Sequence, residues 1–161
     1  GNPETYRDDY ECWVTLKLCD VIIQAERNDE VLALTDSIAE QVEQARDHYR
    51  IWWHVMRGRA KFALDDHDGA LTEANTGLEM TTQDLMNSDT GYLYEIRALV
   101  GLQRETEAAE RDLAHAIAIH LAAGADDRAR DLAKHFMPTL AERGEQPKPQ
   151  AEVEPAAPLE H

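Results

Sequence analysis

Three stretches of the chain share one arrangement of small and apolar residues, and this repetition limits the folds that the chain can adopt. The stretches begin at Val21, Ala60 and Ala98. Their spacing of about 38 residues is typical of helix–turn–helix repeats. A unit of that length cannot bury its own apolar face, so neighbouring units must stack. The repetition therefore predicts an all-α fold built from stacked helical hairpins.

Apolar residues recur at helical spacing in seven segments that polar turns separate. We expect helices at about 6–26, 29–46, 49–64, 69–81, 91–102, 107–124 and 128–143. No segment alternates convincingly with a period of two, so strands are not expected. The first six helices would form three antiparallel pairs, and the seventh, which we expect Pro138 to kink, would close the stack.

The middle segment, 58–78, resembles the tetratricopeptide repeat (TPR) over its whole length without a gap. The resemblance lies in small residues where two helices would approach closely: Gly58, Ala60, Ala70 and Gly77. Larger apolar side chains follow between them: Phe62, Leu64, Leu71 and Leu78. The resemblance implies a short TPR-like α-solenoid of about three helical hairpins plus a closing helix, over residues 6–143. In the flanking repeats, Thr35 and Asp112 stand where the family has a bulky apolar residue.

The two ends of the chain differ in composition from the repeats. Residues 1–5 are predicted to be a flexible N-terminus left by cloning, and the last three residues are typical of a purification-tag remnant. Residues 144–161 are rich in proline and glutamate with little to bury, so we expect a disordered tail.

The charge of the chain restricts its partners. Acidic residues outnumber basic ones by 32 to 16, which gives a formal net charge of −16. Phosphate backbones would be repelled by that field, so we expect no direct nucleic-acid binding. No apolar run approaches the ~20 residues that cross a bilayer. Without a cleavable leader at the start, the expected location is cytoplasmic and no membrane partner is expected.

The sequence 65–69 combines three carboxylates and an imidazole, a set that could hold a divalent cation. When Gly69 is aligned with the glycine of a calcium loop, the first and last ligand positions fall on Leu64 and Asn75, which do not fit. A helix cap formed by Asp68 explains the same residues. His115 and His120 would lie about 140° apart on one helix, unlike a zinc pair. We therefore expect neither a bound metal nor a cofactor.

Nucleophilic catalysis has little support in the sequence. The two serines, Ser37 and Ser88, lie outside any Gly-x-Ser-x-Gly elbow, and the glycines are scattered singly. Cys12 and Cys19 would share one helix face about 10.5 Å apart, which is too far for a disulfide. We expect both thiols to face the core and the protein not to be an enzyme.

In tetratricopeptide proteins the first helix of each pair lines a concave surface, and the resemblance implies the same here. The residues predicted to bind a peptide or protein on that surface are Trp13, Asp20, Trp52, Val55, Arg59, Phe62, Leu93 and Arg97. Arg59 and Arg97 stand at equivalent positions of successive repeats and could clamp a carboxylate or a phosphate. Alternatively, they pair with local acids such as Glu95 or Asp20.

Trp52 and Trp53 are adjacent, so their side chains point about 100° apart on a helix. The register assigns Trp53 to the core and Trp52 to the surface, where an exposed tryptophan is a common binding anchor. A core role for both remains an alternative.

These features favour a protein- or peptide-interaction module. The run 114–130 also resembles the C-terminal repeat domains of bacterial transcription regulators. That resemblance implies a sensory or assembly domain of a larger bacterial regulatory protein. The alternative is a homodimerisation module in which the apolar groove or the closing helix packs against a second copy. A metal protein or an enzyme is less favoured.

Overall fold

The computed structural model describes residues 3–136, and this part of the chain is all-helical, as the repeat pattern predicts. It contains eight α-helices: α1 (Pro3–Gln24), α2 (Asn28–Ser37), α3 (Ala39–Gln44), α4 (Asp47–Ala63), α5 (His67–Met80), α6 (Ser88–Gln103), α7 (Ala109–Ala122) and α8 (Asp126–Ala133). A single 3₁₀ turn, Gln83–Leu85, precedes α6. None of the helices in residues 3–136 combines the length and apolar character that a membrane-spanning segment needs.

Successive helices pack against each other in pairs. α1 contacts α2 and α3, α4 contacts α5, and α6 contacts α7. α4 also lies against α1 and α2 on one side and against α6 on the other, while α8 packs on α7. The first helices of the three pairs, α1, α4 and α6, are therefore neighbours in chain order.

Small residues allow these close contacts. A Cβ atom added at Gly58 would lie 3.0 Å from Cδ1 of Ile96, and one added at Gly77 would lie 2.8 Å from Cδ1 of Leu93. Ala60 and Ala70 are fully buried. The predicted close approach of helices is therefore confirmed at Gly58 and Gly77.

The core continues from α1 to α6, and a smaller apolar cluster joins α6, α7 and α8 around Leu113 and Leu132. Cys12 and Cys19 are both free and fully buried in the larger cluster, as predicted. Burial raises the pKa of each thiol to about 11. Neither thiol is therefore prepared for nucleophilic chemistry at neutral pH.

The predicted helix 29–46 is interrupted at Ile38, which separates α2 from α3. Just before the break, the hydroxyl of Thr35 donates to the carbonyl oxygen of Val31 at 2.8 Å. The carbonyl oxygen of Thr35 accepts a hydrogen bond from Nε1 of Trp53, also at 2.8 Å. A hydroxyl that donates to a carbonyl oxygen one turn earlier bends its helix. The indole N–H also donates to a carbonyl oxygen in the last turn of α2. A tertiary contact thus ends α2 where the sequence pattern continues.

The start of the helical domain also differs from the prediction. α1 begins at Pro3, a residue well suited to a first turn because it needs no backbone donor there. The helix therefore starts three residues before the predicted boundary at residue 6. The predicted tail 144–161, the end of the seventh predicted helix and the kink at Pro138 lie outside the described residues.

The acidic loop between α4 and α5 is capped by Asp66 instead of Asp68. Oδ1 of Asp66 accepts a hydrogen bond from the backbone N–H of Gly69 at 2.9 Å. A side chain at Gly69 would collide with that carboxylate. Asp68 instead accepts a hydrogen bond at 2.6 Å from Arg104, the residue that follows α6. The two carboxylates therefore serve separate partners.

Candidate ligand-binding site

A cavity of about 510 Å³ lies where α1, α4, α6 and α8 meet. That volume is within the range of sites that hold a small molecule or part of a peptide. Its lining residues come from these four helices, from the turn after α1 and from the first residue of α2: Ile23, Glu26, Asn28, Arg59, Phe62, Ala63, Glu95, Ile96 and Arg128.

The ring of Tyr92 on α6 lies beside this cavity and is contacted by two cations. The guanidinium carbon of Arg59 lies 4.0 Å from the ring centroid, and that of Arg128 lies 5.1 Å away. The imidazole of His120 meets the ring edge to face at 5.0 Å. A tyrosine ring attracts cations through the negative potential of its face, so it helps to hold both guanidinium groups at the cavity.

Glu95 neutralises one of these cations. It is buried, and it accepts hydrogen bonds from Nε of Arg128 at 2.8 Å, from Nη2 of the same arginine, and from Nε2 of His120 at 3.2 Å. Burial would raise the pKa of Glu95, but the hydrogen bonds from His120 and Arg128 outweigh burial and lower it. The ionised carboxylate therefore holds α8 against α6 and occupies Arg128.

Arg59, in contrast, has no carboxylate oxygen within 4.0 Å in the described part of the chain. This is unusual in a protein with twice as many acidic as basic residues. The face of its guanidinium group lies over the Tyr92 ring, and no described carboxylate accepts a hydrogen bond from its N–H groups. Within the described residues, the geometry leaves this cation available to a carboxylate or a phosphate.

Further charges of α1 and α6 lie near Arg59. Burial raises the pKa of Asp89, at the start of α6, and the nearby charge of Asp20 raises it further. The positive charges of Arg59 and Lys17 oppose these effects. Asp20, a predicted site residue, therefore belongs to the same electrostatic environment as Arg59.

Of the eight residues predicted from the sequence, Arg59 and Phe62 line the cavity. Val55 and Leu93 do not line it and are fully buried in the core. Trp13 lies on the outer side of α1, where it stacks on Tyr10 with ring centroids 6.3 Å apart.

Arg97 lies away from the cavity and does not form a clamp with Arg59. Its Nε and Nη2 atoms donate to the two oxygens of Asp112 on α7, at 2.9 and 2.8 Å. Asp112 is buried, so the bidentate pair fixes Arg97 between α6 and α7. The alternative that this arginine pairs with a local acid is correct, although the acid is Asp112 and not Glu95 or Asp20.

The register of the first helices explains the error. The structural counterpart of Arg97 is Arg57 on α4, which donates to Glu73 on the partner helix at 3.3 Å. Glu73 on α5 and Asp112 on α7 thus play the same part in successive pairs. Arg59 follows Arg57 by two positions, and a shift of that size turns a helical side chain by about 200°, to the opposite side of the helix.

The adjacent tryptophans are both partly buried and packed on the core. Nε1 of Trp53 donates to the carbonyl oxygen of Thr35, whereas Nε1 of Trp52 is buried without an acceptor in the described residues. Nζ of Lys17 lies 5.5 Å from the Trp52 ring. The assignment of Trp53 to the core and Trp52 to the open surface is therefore only partly correct.

This difference gives a paired prediction. We expect Trp53→Phe to lower the free energy of unfolding by about 1 kcal/mol more than Trp52→Phe, because only Trp53→Phe removes a hydrogen bond and leaves the carbonyl oxygen of Thr35 with just the longer bond from the N–H of Ile38, at 3.3 Å. In Trp52→Phe, the removal of a buried donor that has no partner offsets part of the stability lost with the packing contacts. Urea denaturation of both variants measures the difference, and equal losses would contradict it.

Three residues beside the cavity, Tyr92, His120 and Arg128, were not among the predicted site residues. The register that aligns Arg97 with Arg57 also aligns Tyr92 with Trp52, and it could have placed Tyr92 on this side of α6. No local sequence signal links Glu95 to Arg128, which lies on a different helix far along the chain.

Comparison with protein-family models, curated proteins and solved structures gave no match to this chain.

Proposed function

We propose that this chain is a TPR-like interaction module that binds an acidic peptide segment in the cavity between α1, α4, α6 and α8. In this proposal Arg59 receives a carboxylate of the peptide, from an acidic side chain or from the C-terminus. Ile23 and Phe62 provide apolar walls for the neighbouring peptide residues.

The packing order of the helices supports a repeat arrangement. The first helices α1, α4 and α6 are successive neighbours, and each second helix contacts the first helix of the next pair, as α2 does with α4 and α5 does with α6. Stacked hairpins of this kind place their first helices along one surface. The cavity lies on the side that these first helices share with α8.

The observation that carries the proposal is the guanidinium group of Arg59 at this cavity, which no described carboxylate contacts. The neighbouring cation, Arg128, is already bound to Glu95, and Arg97 is bound to Asp112. An incoming carboxylate would therefore complete the bonding of Arg59. A guanidinium group binds a carboxylate with two parallel hydrogen bonds, which also orients the ligand. A wider role as a sensory or assembly domain of a regulatory protein is consistent with such a module.

Peptide selection tests the proposal. We expect random dodecapeptides selected on the full chain to be enriched in aspartate, glutamate or a free C-terminal carboxylate. Replacing Arg59 by alanine should weaken binding of the selected peptides at least about tenfold, because charge-assisted hydrogen bonds are lost. Fluorescence polarisation with labelled peptides measures the affinity.

Arg130→Ala is the matched control, since it removes the same charge from an exposed residue that pairs with Asp127, one turn earlier on α8. It should leave the affinity unchanged. Equal losses in both variants would indicate a general charge effect, and an Arg59→Ala variant with full affinity would rule out the proposed anchor.

A further inference from the structure

The outward side of α1 carries an apolar stripe that no described helix covers. Its members are between 43% and 77% exposed. They are Tyr6, Tyr10, Trp13, Val14, Leu18 and Val21. At 100° per residue these side chains fall within an arc of about 140°, in which Arg7 and Lys17 also lie. The opposite side of the same helix is buried through Cys12, Leu16 and Cys19, so α1 is apolar on both sides.

The stripe is large enough for a specific interface. Large side chains of this kind present on the order of 200 Å² each when fully exposed, so the stripe offers about 600 Å² of apolar surface. A standard interface buries about 800 Å² per partner, a little more than half of it apolar. The stripe therefore supplies the apolar area that one side of a stable dimer needs.

The order of residues along the stripe is self-complementary. The aromatic residues Tyr6, Tyr10 and Trp13 occupy its first half, and the aliphatic residues Val14, Leu18 and Val21 occupy its second half. An antiparallel arrangement of two copies places each aromatic half on the aliphatic half of the other copy. The two-fold axis then passes between positions 13 and 14, and a parallel arrangement would instead oppose aromatic to aromatic residues.

We propose that the outward stripe of α1 is the interface of a two-fold symmetric dimer, in which α1 packs antiparallel against α1 of a second copy. The surface is separate from the cavity at Arg59, so the dimer leaves that cavity open. Because each copy carries a net charge of −16, the two copies repel at long range. Screening by salt should therefore tighten the dimer.

Sedimentation of the full 161-residue chain over a range of concentrations tests the interface. We expect a species with twice the mass of the chain, and a dissociation constant that falls when NaCl increases from about 50 to about 500 mM. Leu18→Glu should raise that constant at least about 100-fold, because it would bury an unpaired carboxylate at the interface. Leu121→Glu, at a similarly exposed leucine of α7, should not change it.

Circular dichroism establishes that both variants keep their helices, since both leucines are about half-exposed. A wild-type chain that stays monomeric at high concentration would overturn the proposal and would favour a foreign helix as the occupant of the stripe. A Leu18→Glu variant that still dimerises, or equal effects of the two substitutions, would overturn it as well.

Crosslinking tests the antiparallel orientation independently. In the proposed dimer, residue 6 lies beside residue 21 of the partner, whereas two copies of residue 6 are about 22 Å apart along the helix axes. A short bis-maleimide should therefore join Tyr6→Cys to Val21→Cys in a mixture but should join neither variant to itself. The native thiols are buried and should not react. Self-crosslinking of the single variants, or no crosslink in the mixture, would contradict the arrangement.

Discussion

Replacing Glu73 by glutamine is expected to lower the free energy of unfolding by about 3 kcal/mol at pH 7. Glu73 lies on α5 and is only 7% exposed. Its carboxylate accepts hydrogen bonds from His54 at 2.6 Å, Lys61 at 2.8 Å and Arg57 at 3.3 Å, all on α4. A neutral amide leaves these donors with a weaker acceptor in a buried site, and breaking a buried ionic network is strongly destabilising.

The same residue makes stability depend on pH. Burial would raise the pKa of Glu73, but the hydrogen bonds from His54 and Lys61 outweigh it and lower the pKa from 4.5 to about 2. A carboxyl whose pKa is lower in the folded state stabilises the fold above its unfolded pKa. That contribution is lost as the pH falls from about 4.5 through 2, and a shift of this size corresponds to about 3 kcal/mol.

Urea denaturation of the wild type and Glu73→Gln at pH 7, 4.5 and 2.5 measures both effects. The difference between the two proteins should be largest at pH 7 and should shrink towards pH 2.5. Glu79→Gln, at an exposed position of the same helix, is the control and should cost less than about 0.5 kcal/mol. A constant difference across this pH range would show that the charge of Glu73 is not the cause.

The fold was predictable from the sequence where local chemistry determines it. Turns at 25–27, 64–66 and 104–106 and the apolar spacing between them set the helix pairs, because these signals act over a few residues. The close approach at Gly58 and Gly77 followed from the absence of a side chain at each position. The break at Ile38 could not be predicted, because it depends on Trp53, which arrives from another helix.

The site was only partly predictable because the repeat register was ambiguous. Small residues stand at both 58 and 60, so Ala98 can be aligned with either one. Alignment with Ala60 puts Arg97 beside Arg59, which is the arrangement predicted from the sequence. Alignment with Gly58 gives the register that the structure shows, in which Arg97 corresponds to Arg57. Burial and ion pairing resolve the choice, and neither is visible in a repeat pattern.

The buried acids were predicted less well than the apolar residues. Glu95 is held by His120 and Arg128, which lie on α7 and α8. Ion pairs between residues this far apart in the chain depend on how α7 and α8 pack against α6. Acidic residues in an acidic chain are expected on the surface, so no sequence signal indicated that Glu95 would be buried. For Asp112 the one signal was its place in the repeat, where the resembled family has a bulky apolar residue.

Truncating Leu93 to alanine should show whether this side chain acts as a core residue or as a ligand-binding residue. Leu93 is fully buried, and its Cδ1 lies against the backbone of Gly77, so the substitution leaves a cavity between α5 and α6. We expect the free energy of unfolding to fall by about 3 kcal/mol, within the range for buried leucines. Thermal and urea denaturation measure this loss.

Leu121→Ala is the control, since the same truncation at a side chain that is 53% exposed should cost less than about 1 kcal/mol. The two interpretations of Leu93 then differ in their outcomes. A core residue loses stability while the folded fraction keeps its affinity for selected peptides, because Arg59 and the cavity walls are unchanged. Unchanged stability with weakened peptide binding would instead place Leu93 on the binding surface, so both measurements on this one variant decide its role.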